Sequence, residues 1–353
     1  MPSPSCKSLT VLAVLALAAC SNPAPPRPGP TWTRVDLPAA AGAQLRDLAD
    51  CGDRWYVAGA LRDAGGTTRP AAWTSTDGRA WQSVRFSPLP SSYYGPHDVI
   101  SAVACAAGRV VMVGAIPGGA HGNPRVSTWR RLADGRMAEN AATFETYGGE
   151  RAVNVGRVGA GPRGFAIAGN RSSGAAAWLS ADGQAFTLYE DVPGLAGDAT
   201  HQTMARDAVA LPDGRWAIVG GVTARDSLDE QAAVWLTRDG RTWTRADPPG
   251  APGFNEIQRV VRQGDDLLAA GARGTAFGLW RWHAGAWTAG ETFGGDPGGV
   301  RSLTVAGGKP VVAGGGLWVA GKAWPTPAAP VAVAGRGGTL LMATDGALWR
   351  TAA

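Results

Sequence analysis

Histidine is scarce in this chain, and no residue pattern that commonly builds metal or nucleophile sites makes up for it. Four His stand at 97, 121, 201 and 283, without the paired spacing that metal ligation needs. No run of alternating acids suggests a calcium loop. No G-x-S-x-G elbow is present to expose a serine nucleophile. Gly159-Ala160-Gly161-Pro162-Arg163-Gly164 does match G-x-G-x-x-G, but GFAIAGN, which begins at its last glycine, reads as a strand. A dinucleotide site needs a helix there. No metal and no cofactor are therefore expected. Beyond the N-terminus no segment keeps a helical period, and none is apolar for long enough to span a bilayer.

Glycine and tryptophan are abundant instead, with 51 and 15 copies. Three stretches repeat one pattern: STDGRAW (75–81), SADGQAF (180–186) and TRDGRTW (237–243). Each follows a run of small residues ending in Trp, as in AAWTSTDG, AAAWLSADG and AAVWLTRDG. Alternation around Asp-Gly is a strong hairpin signal. Gly78, Gly183 and Gly240 supply the positive φ of a tight turn. Asp77, Asp182 and Asp239 accept from turn amides, helped by Ser75, Ser180 and Thr237. Trp81, Phe186 and Trp243 then fold back and seal the hairpin. These stretches resemble Asp-box (BNR) repeats, S/T-x-D-x-G-x-x-W, with a shorter Asp-to-Gly spacing that implies a tighter turn. The resemblance implies a β-propeller of the sialidase-like superfamily, in which the box is a structural hairpin.

Weaker copies fill the gaps. One follows Trp129 at Ala133-Asp134-Gly135, and another follows Trp280 at Ala284-Gly285-Ala286-Trp287. Upstream of each lies a second signature: RWYVAGA, RVVMVGA, GFAIAGN, RWAIVGG, DLLAAGA and KPVVAGG. A seventh unit ends the chain after three strands, and TWTRVDL at 31–37 resembles the missing fourth. The expected fold is all-β: a seven-bladed propeller of four-stranded antiparallel blades over 31–353, closed by the N-terminal strand. Closure of this kind removes exposed edges. Six blades result if units six and seven merge.

The first 19 residues carry Lys7 and a short apolar core, Leu9 to Ala19. Leu17-Ala18-Ala19-Cys20 resembles a bacterial lipobox, which implies export, cleavage before Cys20 and lipid on Cys20. Pro-rich residues up to 30 read as a stiff tether, so 20–30 is an anchor segment. The expected location is the outer face of a bacterial membrane, reached through that lipid. Cys51 and Cys105 fall near the ends of first strands in neighbouring blades, and an exported protein would oxidise such a pair. The other reading is two small buried thiols.

Nearly all of the positive charge is arginine, and the net charge is +5. Counting back 12 to 14 residues from the glycines at 59, 169, 220, 271 and 314 reaches Arg46, Arg157, Arg206, Arg259 and Arg301. In blades two and seven the count reaches Ser101 and Val331. Five innermost-strand arginines would ring one mouth of the channel and hold an anion, unless acids such as Asp47 and Asp207 neutralise them. The expected function is a monomeric, non-catalytic binding or scaffolding module for an anionic glycan or acidic protein, with no nucleic-acid partner. The alternative is a diverged sialidase-like glycoside hydrolase or lyase. Tyr93, Tyr94, Tyr147 and Tyr189 lie at connections between blades, where a site would sit, and Tyr147 with Glu150 or Tyr189 with Glu190 could supply its nucleophile. The Arg-Ile-Pro motif of sialidases is absent.

Overall fold

The computed structural model describes residues 29–118, 123–296 and 298–353. The leader, Cys20, most of the tether and His121 lie outside them. The described chain forms seven antiparallel sheets arranged in a ring, and the seven-blade count read from the sequence holds. The inner strands are Ala43–Asp50, Val99–Ala106, Ala152–Gly161, His201–Ala210, Asn255–Gln263, Ser302–Ala306 and Ala332–Arg336. The N-terminal strand Thr33–Val35 pairs with Leu348–Ala352, Thr33 opposite Arg350 and Val35 opposite Leu348. It completes the last blade, as expected. Blade 2 differs by one strand. Phe86–Ser87, from the connection leaving blade 1, adds a fifth, parallel strand at its outer edge.

Inner strands are crowded, and the second-strand signature answers that crowding. In blades 1, 2, 4 and 5 the inner strand carries a bulge near its start, at Arg46, Ser101, Arg206 and Gln258. The bulge presses main chain against the neighbouring strand. A Cβ on Gly59 would lie 1.9 Å from the Gln44 carbonyl oxygen, and one on Gly220 or Gly271 would lie 1.8 Å from that of Met204 or Glu256. Glycine recurs at this point because nothing larger fits. Blade 7 has no such bulge, and Thr344 follows its last paired residue Ala343.

The repeated Asp-Gly stretches are turns between third and fourth strands. Ser75 Oγ accepts from Gly78 N at 2.9 Å, while Asp77 Oδ1 accepts from Arg79 N and Ala80 N at 2.8 and 2.9 Å. Ser180 with Asp182, and Thr237 with Asp239, make the same bonds. These bonds hold the Asp77 carboxyl down at about 2. Gly78, Gly183 and Gly240 have φ of 69°, 81° and 79°. Trp81 and Trp243 are buried over their turns, and Phe186 is half-buried. The tryptophan before each box has a separate task. Trp73 Nε1 donates to Pro38 O and Trp178 Nε1 to Thr146 O, and in blade 5 Trp280 Nε1 donates to Pro249 O. In each case the indole pins the incoming connection from the previous blade.

Gly220→Ala should lower unfolding stability by about 3 kcal/mol, because backbone must move to admit the methyl. Gly316→Ala, whose Cβ would meet nothing nearer than Trp318 at 3.9 Å, is the control and should cost much less. Equal losses in chemical denaturation would reject the close-approach account.

Candidate functional site

The five counted arginines do not form one ring. Gly59, Gly169, Gly220 and Gly271 stand opposite Leu45, Val155, Ala205 and Ile257. One residue beyond those partners come Arg46, Gly156, Arg206 and Gln258, and two beyond come Asp47, Arg157, Asp207 and Arg259. A fixed count treated hairpins of unequal length alike. Side chains alternate along a strand, so one residue of error turns a side chain to the other face.

The second set meets in the channel, two acids and two bases in alternation. Arg157 Nη2 bonds Asp47 Oδ1 at 2.5 Å. Asp47 Oδ2 also accepts from Val103 N, and Asp207 Oδ2 from Val260 N. Arg259 donates to the carbonyls of Arg301 and Gln258. Burial opposes the charge on Arg157, yet Asp47 and Asp207 hold its pKa above the usual value. Burial and the neighbouring Arg157 push Arg259 down to about 10. The layer is formally neutral and braced across the channel. It bounds a cavity of about 380 Å³ that runs toward the ends of the inner strands. There Cys51 and Cys105 are joined by a disulfide between blades 1 and 2.

The remaining counted arginines go elsewhere. Arg46 pairs with Asp345 of blade 7, and Arg206 Nε with Glu256 Oε1 at 2.5 Å. Arg301 is exposed, with no carboxylate in ion-pair range among the described residues. Glu230, next to Glu256, is held protonated to higher pH by burial and by that second carboxylate. No tyrosine or histidine hydrogen-bonds to either acid among the described residues.

The nominated nucleophiles are also committed. Tyr147 is buried and its hydroxyl shares a hydrogen bond with Thr128 Oγ1, and burial raises its pKa. Glu150 is exposed and makes no bond to it among the described residues. Glu190 is paired with Arg171 at 2.9 Å, and the Tyr189 ring packs under Gly240. The G-x-G-x-x-G stretch lies in the first hairpin of blade 3.

An open site lies between blades 2 and 3, where the connections 84–98 and 140–151 face each other. It is a pocket of about 510 Å³. Tyr93 and Phe144 stand 78% and 57% exposed at its sides. Tyr93 meets Tyr94 edge to face, with centroids 5.0 Å apart. The Arg125 guanidinium lies 4.7 Å from the Phe144 centroid and 5.7 Å from that of Tyr94. Glu139 forms the pocket's buried carboxylate. It accepts from Leu89 N, Ser92 Oγ and Ser127 Oγ, and so ties one connection to the blade. Tyr93, Tyr94 and Tyr147 were legible in the sequence as residues of this face. Arg125, Phe144 and Glu139 were not, because inner-strand registers do not reach the third and fourth strands.

No protein-family model matches the sequence, and no curated protein matches it. Solved structures share the fold. Virginiamycin B lyase from Staphylococcus aureus superposes with a TM-score of 0.59 at 11% identity, over 91% of this chain and 98% of that one. PorZ, a surface component of the type-IX secretion system of Porphyromonas gingivalis, gives 0.54 at 12% identity, over 89% of this chain and 46% of that one. Trypanosoma rangeli sialidase gives 0.45 at 10% identity, over 88% and 55%. At these identities the likeness shows the fold.

Asp207→Asn leaves two buried arginines with one carboxylate between them. It should cost about 3–5 kcal/mol in chemical denaturation. Adding Arg259→Met should recover a large part of that loss, since the two positions share one network. Additive losses would show that the channel charges are independent.

Proposed function

We propose that this protein is a non-catalytic binding module held outside a bacterial membrane by lipid on Cys20. It presents its blade-connecting face to an anionic partner. One observation supports this most: the open pocket on that face exposes rings and a cation, while its carboxylate is fully engaged in hydrogen bonds. A hydrolase or lyase needs an acid and a base free to move protons beside the substrate. A binding site needs a preformed concave surface with a few polar groups. The pocket has the second set of properties. The neutral channel layer fits the same reading, since its charges serve each other. The resemblance of the three turns to Asp boxes adds a superfamily in which such turns are structural.

Two measurements test the proposal. The purified full chain should bind polyglutamate or polygalacturonate in preference to neutral dextran, more weakly as salt rises. A Tyr93→Ala, Phe144→Ala double change should weaken that binding at least ~10-fold, at about 1 kcal/mol for each ring. Sustained release of product from a glycan by the wild type, lost on removal of a carboxylate, would overturn the reading. For the anchor, mass spectrometry of the native N-terminus should find acyl chains on Cys20. An unmodified chain released to the medium would remove that part.

A further inference from the structure

Resting on that reading, we propose that the pocket between blades 2 and 3 is a subsite for a carboxylated sugar, a uronic acid unit of a glycan. Arg125 takes the carboxylate, and the rings of Tyr93 and Phe144 take the sugar's C–H faces. Arg125 is set apart from the arginines described above. Arg46, Arg157 and Arg206 have carboxylate partners, and Arg259 is bonded to carbonyls. Arg125 has no ion pair among the described residues, and its Nε is buried without a hydrogen-bond partner. Glu139, the acid of the same pocket, has its oxygens filled by one amide and two hydroxyls.

The guanidinium is also preorganised. Two rings, from the two different connections, hold it by cation–π contact and restrict its side chain before any ligand arrives. A planar fork fixed in this way suits the two oxygens of a carboxylate, which a lysine cannot match. The walls indicate what carries the carboxylate. Exposed rings alternate with hydroxyls: Ser91 Oγ and the hydroxyls of Tyr93 and Tyr94 make no hydrogen bond among the described residues. A sugar ring presents apolar C–H faces and a polar hydroxyl edge, and this lining offers a counterpart to both. A concave site of about 510 Å³ takes a small unit more readily than the broad surface of an acidic protein.

The test is calorimetric titration of the purified full chain, in detergent, with trigalacturonate, its methyl ester and polyglutamate. Trigalacturonate should bind at least ~10-fold more tightly than the neutral ester. Arg125→Ala should abolish that preference, and Arg125→Lys should lose most of it while keeping the charge. Arg163→Ala, in an exposed turn on the opposite face, is the charge control and should change binding less than ~2-fold. Thermal melting of each variant confirms that it is folded, and the lysine variant keeps the test valid should the alanine variant not fold. Equal binding of the ester, or unchanged binding by both Arg125 variants, would overturn the proposal. Polyglutamate bound through Arg125 without trigalacturonate would also overturn it, while leaving the binding-module reading standing. No binding of any probe would end both.

Discussion

Seven strands laid side by side around one axis must satisfy each other's polar groups, and much of this structure follows from that requirement. The inner strands sit too close together for ordinary side chains between them and their partners. Bulges relieve the geometry but free backbone amides in the process. The neighbouring blade answers: Asp47 accepts from Val103 N, Asp207 from Val260 N, and Ser302 Oγ from Val333 N. One position on the inner strand thus serves as a joint between blades. Where that joint is an aspartate, its charge also has to be met. Arg157 meets it across the channel, and Arg259 faces Asp207 from the next blade. A buried ion pair is weak evidence for stability, since desolvation can cancel the attraction. Here the carboxylates also hold backbone amides, which gives them a structural task that charge alone would not.

The outer half of each blade follows a different rule. Tryptophans on the third strand reach back to the incoming connection and fix its path. The connections on either side of blade 2 are long, and both are tied down. Glu139 holds the first, and Trp178 and Arg171 hold the second through Thr146 O and Gly148 O. The exposed rings they carry are therefore placed by buried bonds, and a pocket built this way can be rigid although it lies on connecting segments.

Turn chemistry made most of the fold readable. Asp-Gly between alternating stretches marked the outer hairpins, and the glycine of the second strand marked the inner ones, at Gly59, Gly169, Gly220 and Gly271. The missing strand at the chain's end and its likeness near residue 33 marked the closure. The site was much less readable. Register along an inner strand depends on the length of each hairpin and on each bulge, and neither is visible as composition. That is why Arg157 and Arg259 were grouped with Arg46 and Arg206, although they point the other way. Arg125 carries no local signature, and its importance arises from Tyr94 and Phe144, which lie 31 and 19 residues from it in the chain.

The closing strand also sets a direction. In the other blades the fourth strand is entered from the turn bearing the Asp-Gly pair or its equivalent. In the last blade Thr33–Val35 takes that strand's place, so the chain arrives from the turn-bearing side of the disc. The blade connections, and the pocket between blades 2 and 3, open on the other side. A tether running from Cys20 would pull on the turn-bearing side and leave the pocket facing away from the membrane. The strand that seals the ring would then act as its mooring point, with the pull of the anchor borne by the ladder between Thr33–Val35 and Leu348–Ala352.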